Sequence, residues 1–220
     1  MGRIMRVVFA FSLSTLLAGC GMSRDYTRLT VPAPLPTVAS GSNKAIVIDE
    51  VQDRREFQAD PRDPSIPSLK KGAEYHLNAE QRKSAIGRKR SKYGMATGDY
   101  VLRGGQTVET LTHDLIAATL RGMGYRVSDD ANAPKAKHLR VSVDKFWAWM
   151  TPYYLWSGIE AELETRLTFS GPSGGKTVEV TGYGRNPIRL DRTANWQIAY
   201  DRAFRSYEKN LQQAMRDSGL

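Results

Sequence analysis

The chain has 220 residues, of which 32 are Lys or Arg and 23 are Asp or Glu, and its formal net charge is +9. This length suits one folded domain with additional segments, and a hydrophobic fraction of 40% is sufficient for one core. A single cysteine excludes an internal disulfide framework and any metal site that needs several cysteines.

The first twenty residues consist of a basic start, a short apolar run and a cysteine. Residues 1–6 are basic, and residues 7–17 form an apolar run that is too short to cross a bilayer as an ordinary helix. The run ends in Leu17-Ala18-Gly19-Cys20, which resembles the bacterial lipobox. In that motif the thiol takes a diacylglyceryl group, the chain is cut before the cysteine, and the new amine receives a fatty acyl group such as palmitate. We therefore expect residues 1–19 to be removed and Cys20 to carry covalent lipid, with no other cofactor.

The predicted anchor also indicates a location, although a plain secretory signal with a nearby cysteine is the alternative. Gly21, not Asp, follows the cysteine. By resemblance to the enterobacterial sorting rule, this favours the outer membrane of a Gram-negative bacterium, with the domain facing the periplasm. Residues 20–43 contain Pro32, Pro34 and Pro36 without apolar periodicity, so we expect a flexible tether between the lipid and the domain.

A long basic segment follows the first predicted strand. Residues 44–51 are apolar and predict a buried strand, whereas residues 56–98 predict a long surface loop with a short helix at 78–85. Six cations of this loop could bind an anionic surface or form a solvated charge run: Arg82, Lys83, Arg88, Lys89, Arg90 and Lys92. Few aromatic residues interleave these charges, and a periplasmic protein rarely meets nucleic acid, so we expect no nucleic-acid partner.

The remaining pattern predicts a single α+β domain over residues 44–220. Helical spacing of apolar residues predicts two helices, and alternation of apolar and polar residues predicts strands between them. The helices are at 107–123 and 194–217, and the strands after the first are at 125–127, 139–144, 159–169 and 176–183. The predicted order is β-α-β-β-β-β-α, with an antiparallel or mixed sheet of four to five strands and both helices packed on one face.

An aromatic segment lies between the two clearest strands. Three of the four tryptophans fall within ten residues, and Pro152 indicates a turn, so part of the segment is expected to protrude as a hairpin tip. Tyr and Trp combine an apolar body with a polar group, which suits a partner surface or a bilayer interface. The candidate partner-binding residues are Phe146, Trp147, Trp149, Tyr153, Tyr154 and Trp156. The alternative is that these rings pack against the long loop at residues 56–98, which we call the insertion.

No residue set predicts catalysis or metal binding. Glu160, Glu162 and Glu164 occupy alternate positions of one predicted strand, but no histidine is beside them in sequence. Arg140, Lys145 and Arg166 are natural cross-strand partners for these carboxylates, so a salt-bridged, solvated face is favoured over an acid/base site. The three histidines are scattered, and no nucleophile elbow or phosphate-binding glycine loop occurs. We expect no catalytic residue, no metal and no identifiable small-molecule substrate.

Several short motifs occur along the chain: the lipobox, Ile46-Val47-Ile48 followed by Asp53-Arg54-Arg55, the pair Ile86-Gly87, and Gly122-Met123-Gly124-Tyr125-Arg126-Val127. Together they resemble the YajG-like lipoproteins of Gram-negative bacteria. The resemblance covers most of residues 44–217 and implies a periplasm-facing lipoprotein without catalytic residues. The basic loop is longer, and the aromatic hairpin more pronounced, than the family implies.

Three functional hypotheses follow from these patterns. The first is a non-enzymatic lipoprotein, held at the membrane by its lipid, that docks onto an envelope protein through the aromatic hairpin and the basic loop. The second is a carrier that holds a lipid or glycan in an apolar pocket between the sheet and the helices. The third is a hydrolase that uses the three glutamates, and it is the least favoured.

Overall fold

The structure is a computed structural model, and it describes residues 23–35, 44–59, 61–69, 79–91, 93–128, 130, 136–152, 157–171, 175–188 and 192–219. The fold is α+β, as predicted. Its strands are β1 (Ser23–Thr27), β2 (Ala45–Asp53), β3 (Gln58–Ala59), β4 (Ser68–Leu69), β5 (Ala85–Arg90), β6 (Ala96–Leu102), β7 (Arg126–Ser128), β8 (Lys137–Pro152), β9 (Ser157–Ser170) and β10 (Lys176–Ile188). Its helices are α1 (Ala79–Ser84), α2 (Val108–Gly122) and α3 (Thr193–Asp217).

Three long strands form one side of the main sheet, with β10 at its edge. β8 pairs with β9, and β9 with β10, in antiparallel register along nearly their whole lengths. Their sequences alternate as predicted: Leu163 and Leu167 are buried on the helix side, while Arg166 and Thr168 point to the other face. This alternation is the period-two signal of a sheet with two different faces.

The other edge of β8 is shared between two shorter strands. β2 runs parallel to the first half of β8, and β5 runs parallel to its second half, where Gly87 pairs with Ala148. β7 lies outside β2, while β6 and then β1 lie outside β5. Within the described ranges, the main sheet therefore has eight strands rather than the predicted four to five.

α2 and α3 pack side by side on one face of the sheet, as predicted. α2 begins after Thr107, whose side chain accepts a hydrogen bond from the Thr110 N–H in a capping box. The apolar stripe of α3 enters the same core, where Tyr200 stacks on Phe146 with ring centroids 5.2 Å apart. The core therefore lies between the two helices and one sheet face.

The backbone of α3 lies directly against the backbone of β10. A Cβ at Gly184 would lie 2.2 Å from the Ala199 carbonyl oxygen, so no larger residue fits without displacement of the helix. Two side chains of α3 also bind carbonyl groups of β10: Asn210 donates to the Thr181 oxygen at 2.8 Å, and Arg202 donates to the Arg185 oxygen. These contacts occupy backbone groups of an edge strand that would otherwise be open to another chain.

The flexible tether predicted for residues 20–43 is wrong over residues 23–35. β1 begins at Ser23 and pairs with β6, and Leu29 is a core residue with 3% of its surface exposed. The sequence pattern missed this strand because its residues are mostly polar and it sits at a sheet edge, where the ladder to β6 holds it. Residues 36–43 are outside the described residues.

The long surface loop predicted for residues 56–98 is also wrong over much of its length. It contains the short two-stranded ladder of β3 and β4, helix α1, strand β5 and the start of β6. The short helix predicted at 78–85 is confirmed as α1. β5 lacks a clean alternation because residues 85–88 are all buried, and the charged Arg88 is one of them.

Candidate functional site

Five of the residues singled out by the sequence are outside the described residues. These are the lipidation candidate and the middle of the aromatic hairpin, together with one lysine: Cys20, Tyr153, Tyr154, Trp156 and Lys92. The remaining candidates can be placed.

The three described aromatic candidates are buried, so the exposed hairpin surface predicted for them is wrong. Phe146 and Trp147 have no exposed surface, and Trp149 is 6% exposed. Phe146 points into the helix-side core, while Trp147 and Trp149 point to the opposite face, where their strand positions pair with Glu162 and Glu160.

Trp147 packs against the insertion, which is the alternative that the sequence left open. Its ring meets Phe57 edge to face, with centroids 5.8 Å apart, and its indole N–H donates to the Pro64 carbonyl at 3.3 Å. Trp149 lies under the Lys145 ammonium, which is 5.6 Å from the ring centroid. These rings are structural because the insertion turns this part of the second sheet face into a second, smaller interior.

The predicted anionic-surface cluster is dispersed among the described residues. Arg88 is 2% exposed and pairs across the ladder with Asp99, so its assignment to a surface is wrong. Lys89 forms an ion pair with Asp25, and Arg90 donates to the carbonyl groups of Gly94 and Pro61.

The other two described members of the cluster, Arg82 and Lys83, are on α1. Lys83 is 3.9 Å from Glu109, and only Arg82 of the described members is exposed. Most of these cations therefore bind groups of this chain, which lowers the charge that they could offer to an external anion.

The glutamate ladder forms a salt-bridged face, as predicted. The Lys145 ammonium is 2.7 Å from Glu162 and 3.8 Å from Glu164. Glu160 is nearly buried and accepts a hydrogen bond from the Tyr183 hydroxyl at 2.8 Å. Each carboxylate thus has a partner on a neighbouring strand, which is the cross-strand pairing of opposite polarity that stabilises a sheet face.

A groove of about 1040 Å³ lies on the helix-free face, beside these residues. Its floor is formed by the first half of β8 with β2 and β9, and its wall by the insertion at Glu56, Gln58 and residues 65–67. The other side chains that line the groove carry both charges, and they are Glu50, Gln52, Arg54, Arg140, Ser142, Asp144, Lys145, Glu164, Arg166, Thr168 and Thr177. We call this feature the groove.

A two-point ion pair between Arg166 and Asp144 lines the groove. Arg166 Nε and Nη2 each donate to an oxygen of Asp144 at 2.8 Å. These hydrogen bonds hold the pKa of the Asp144 carboxyl below its usual range and raise the pKa of Arg166. Arg140 and Thr177 are exposed and leave donors and acceptors at the rim.

The sequence predicts the solvated strand face that forms the floor of this groove, but it does not predict the wall. The alternation on β8 and β9 placed Arg166 and Thr168 on a solvated face. No periodic signal showed that residues 56–67 return across that face, because their contacts are long-range and their local structure is irregular.

Among the described residues, no group of three His, Cys, Asp or Glu side chains is arranged to hold a metal ion. In the same part of the chain, no helix has the length and apolarity needed to cross a membrane.

No family model matches the chain, and no curated protein matches it. Solved structures with similar folds include an uncharacterised protein, at 7% identity and a TM-score of 0.46, covering 90% of this chain and 99% of the other. A second is a Xanthomonas campestris protein of the DUF330 family, at 14% identity and a TM-score of 0.47, covering 90% and 99%. A third is a putative neuraminyllactose-binding hemagglutinin homolog from Helicobacter pylori, at 10% identity and a TM-score of 0.34, covering 88% and 99%. All three scores are low, and nothing that these proteins are named for is carried over to this chain.

Proposed function

We propose that the protein is a lipid-anchored lipoprotein of the Gram-negative cell envelope, related to the YajG-like family. The support is the lipobox Leu17-Ala18-Gly19-Cys20 behind a basic start and a short apolar run. Lipid on Cys20 holds the domain at the outer membrane, facing the periplasm. Several acyl chains together bind a bilayer far more firmly than one.

The folded domain acts as a non-enzymatic docking module for an envelope protein, and the groove carries this proposal. Its floor offers carboxylates, guanidinium groups, hydroxyls and an amide along three strands, which suits a polar polypeptide segment that can bind both charges. Acid/base hydrolysis of the kind used by glycosidases needs two carboxyl groups facing the same bond. Here Asp144 is bound by Arg166, and Glu162 is bound by Lys145.

The carrier hypothesis is less well supported. The layer in which an apolar ligand would lie is filled by aromatic side chains with at most 1% exposure: Phe146, Trp196, Tyr200, Phe204 and Tyr207. The residues described along the groove include no aromatic ring on which a sugar could stack.

The lipid is tested by growing cells with an alkyne-tagged palmitate analogue. We expect label on the wild type and on Met22→Ser, a nearby change that keeps the thiol, and no label on Cys20→Ser. An unlabelled wild type, or a Cys20→Ser variant labelled as strongly as the wild type, would disprove the anchor.

Docking is tested by placing a photo-crosslinking amino acid at Arg140 or at Thr177, both exposed at the groove rim. Gln213, which is exposed on α3, is the matched control position. We expect one envelope protein to be captured from both rim positions in intact cells and not from α3.

A charge-swapped variant tests whether capture of the partner depends on the charges of the groove. Asp144→Arg combined with Arg166→Asp keeps an ion pair while inverting the charge pattern of the groove, and it should abolish the adduct. The docking proposal fails if the same adduct forms from Gln213, if the swap leaves it unchanged, or if neither rim position gives one.

A further inference from the structure

The folded domain begins three residues after the predicted lipid. Ser23 is the first residue of β1 and pairs with Gly98 of β6. Three residues span at most about 10 Å even when fully extended. If Cys20 carries the lipid, this end of the sheet must lie close to the membrane surface.

The start of the chain is firmly attached to the rest of the domain. Gln106 binds both the N–H and the carbonyl of Leu29, at 3.1 and 2.8 Å, and Gln197 donates to the Thr27 hydroxyl at 2.9 Å. Lys89 adds an ion pair with Asp25. Because this segment is attached at several points, the lipid would fix the orientation of the domain as well as its distance from the bilayer.

The turn between β5 and β6 lies at the same end of the sheet. β1 and β6 are parallel, and Gly98 is only two residues into β6, so the start of β1 lies beside the turn at residues 91–95. Backbone hydrogen bonds from Ser91 to Met95 and from Gly94 to Ser91 close this turn. Gly94 has a φ of 81°, which favours glycine at this position.

The turn presents two large apolar side chains to solvent. Tyr93 is 74% exposed and Met95 is 63% exposed, the two highest values among the large apolar side chains of the described residues. Arg24 is exposed on the adjacent strand, and the turn sequence also includes Lys92. An apolar tip accompanied by cations is the composition of a segment that enters the headgroup region of an anionic membrane.

We propose that Tyr93 and Met95 insert into the bilayer that holds the lipid on Cys20, so that the domain lies on the membrane instead of standing away from it. This inference rests on the proposed lipidation. A tyrosine places its ring at the acyl boundary and its hydroxyl among the headgroups, and methionine adds flexible apolar surface. The bilayer is the partner because the chain length between Cys20 and Ser23 brings it to this tip.

This orientation leaves the groove accessible. β8 runs parallel to β5, so its last residues lie at the membrane end and its first half at the other end. Arg140, at the groove, is nine residues before Trp149, which is about 30 Å along a strand. The groove therefore faces the periplasm while the tip faces the lipid.

The test uses the full-length lipidated protein. Its only native cysteine is blocked by the lipid, so a cysteine introduced at position 95 or 93 is the single reactive thiol. Met95→Cys and Tyr93→Cys are labelled with an environment-sensitive fluorophore and reconstituted into vesicles of phosphatidylethanolamine and phosphatidylglycerol. Arg103→Cys is the control, because it is exposed at the other end of β6, about 26 Å away along the strand.

We expect nitroxide-bearing lipids to quench the labels at 93 and 95 several-fold more than the label at 103. Equal, weak quenching at all three positions, in protein whose wild type has no reactive thiol, would overturn membrane contact and leave the anchor standing. A wild-type protein whose Cys20 reacts with the thiol label would instead overturn the lipidation. Circular dichroism of each variant checks that the fold is retained.

Discussion

Arg55 is bound to Asp53 by two hydrogen bonds of 2.8 Å, and its guanidinium group fills the place where β2 ends and β5 begins along the edge of β8. The side chain has no exposed surface. Its remaining donors bind the carbonyl groups of Ala85, Phe146 and Arg82 at 2.7, 3.0 and 2.7 Å. One side chain thus satisfies backbone acceptors from three segments that no continuous ladder could reach.

The first prediction concerns this junction. Arg55→Ala should lower the free energy of unfolding by about 3–5 kcal/mol, because it leaves Asp53 and three carbonyl groups without their donor. Arg55→Lys should recover only part of the loss, since an ammonium group cannot bind in two parallel contacts. Urea unfolding measures the change. Arg54→Ala, at the exposed neighbouring position, is the control and should change stability by no more than about 0.5 kcal/mol.

The sequence predicted those parts of the fold whose signal is local. The stripe of α3 and the alternation of β9 each repeat over several turns or pairs, so their type and buried face could be predicted. The motif Asp53-Arg54-Arg55 was noticed only as part of a family resemblance. Its role as the connector between two strands depends on carbonyl groups up to 91 residues away, and no sequence window contains them.

The wrong predictions of exposed residues share one physical cause. Segments that are distant in sequence fold over these residues and bury them. Trp147 and Trp149 were expected to be exposed because an edge of a hairpin has little core of its own, yet the insertion covers Trp147. Arg88 was expected at the surface because charges are rarely buried, yet it lies between β6 and β8. In the candidate site, the same insertion supplies the wall of the groove.

The second prediction tests whether the aromatic residues are structural. Trp147→Ala should cost about 3–5 kcal/mol of unfolding free energy, as expected for a fully buried large side chain. In a double-mutant cycle with Phe57→Ala, the edge-to-face contact should give a coupling of about 0.5–1.5 kcal/mol. Phe57→Ala with Phe169→Ala is the control cycle, since Phe169 is in the helix-side core. Additive losses in the first cycle would show that the insertion does not pack on Trp147 in solution.

The third prediction concerns the close approach of α3 to β10. Gly184→Ala places a methyl group 2.2 Å from the Ala199 carbonyl oxygen. This carbonyl belongs to the backbone of α3, so it cannot rotate away as the end of a side chain could. The loss should be on the order of 3 kcal/mol. Gly171→Ala is the matched control, because its nearest contact would be Lys137 Cγ at 3.6 Å, an ordinary van der Waals distance. Equal melting temperatures for the two variants would mean that α3 lies farther from the sheet than described.

The last prediction is an alkaline loss of stability caused by buried tyrosines. Burial raises the pKa of Tyr207 and of Tyr200 above the usual value of about 10, and both hydroxyls lie in the core. Below that value the tyrosines are neutral in both the folded and the unfolded chain, so their contribution is fully present. Above it the unfolded chain releases protons that the folded chain keeps, and the free energy of unfolding falls as the pH rises towards the folded-state pKa.

Tyr207→Phe should reduce the alkaline loss without removing it, because Tyr200 still titrates. The variant also loses the 2.7 Å hydrogen bond to Thr165, which should cost about 1 kcal/mol at every pH. Thr165→Val is the control, since it breaks the same hydrogen bond while keeping the phenol, and it should retain the alkaline loss. The measurement is urea unfolding at about pH 8 and about pH 11, on either side of the usual tyrosine pKa. If Tyr207→Phe and Thr165→Val lost the same stability between these two conditions, Tyr207 would not remain protonated in the folded protein.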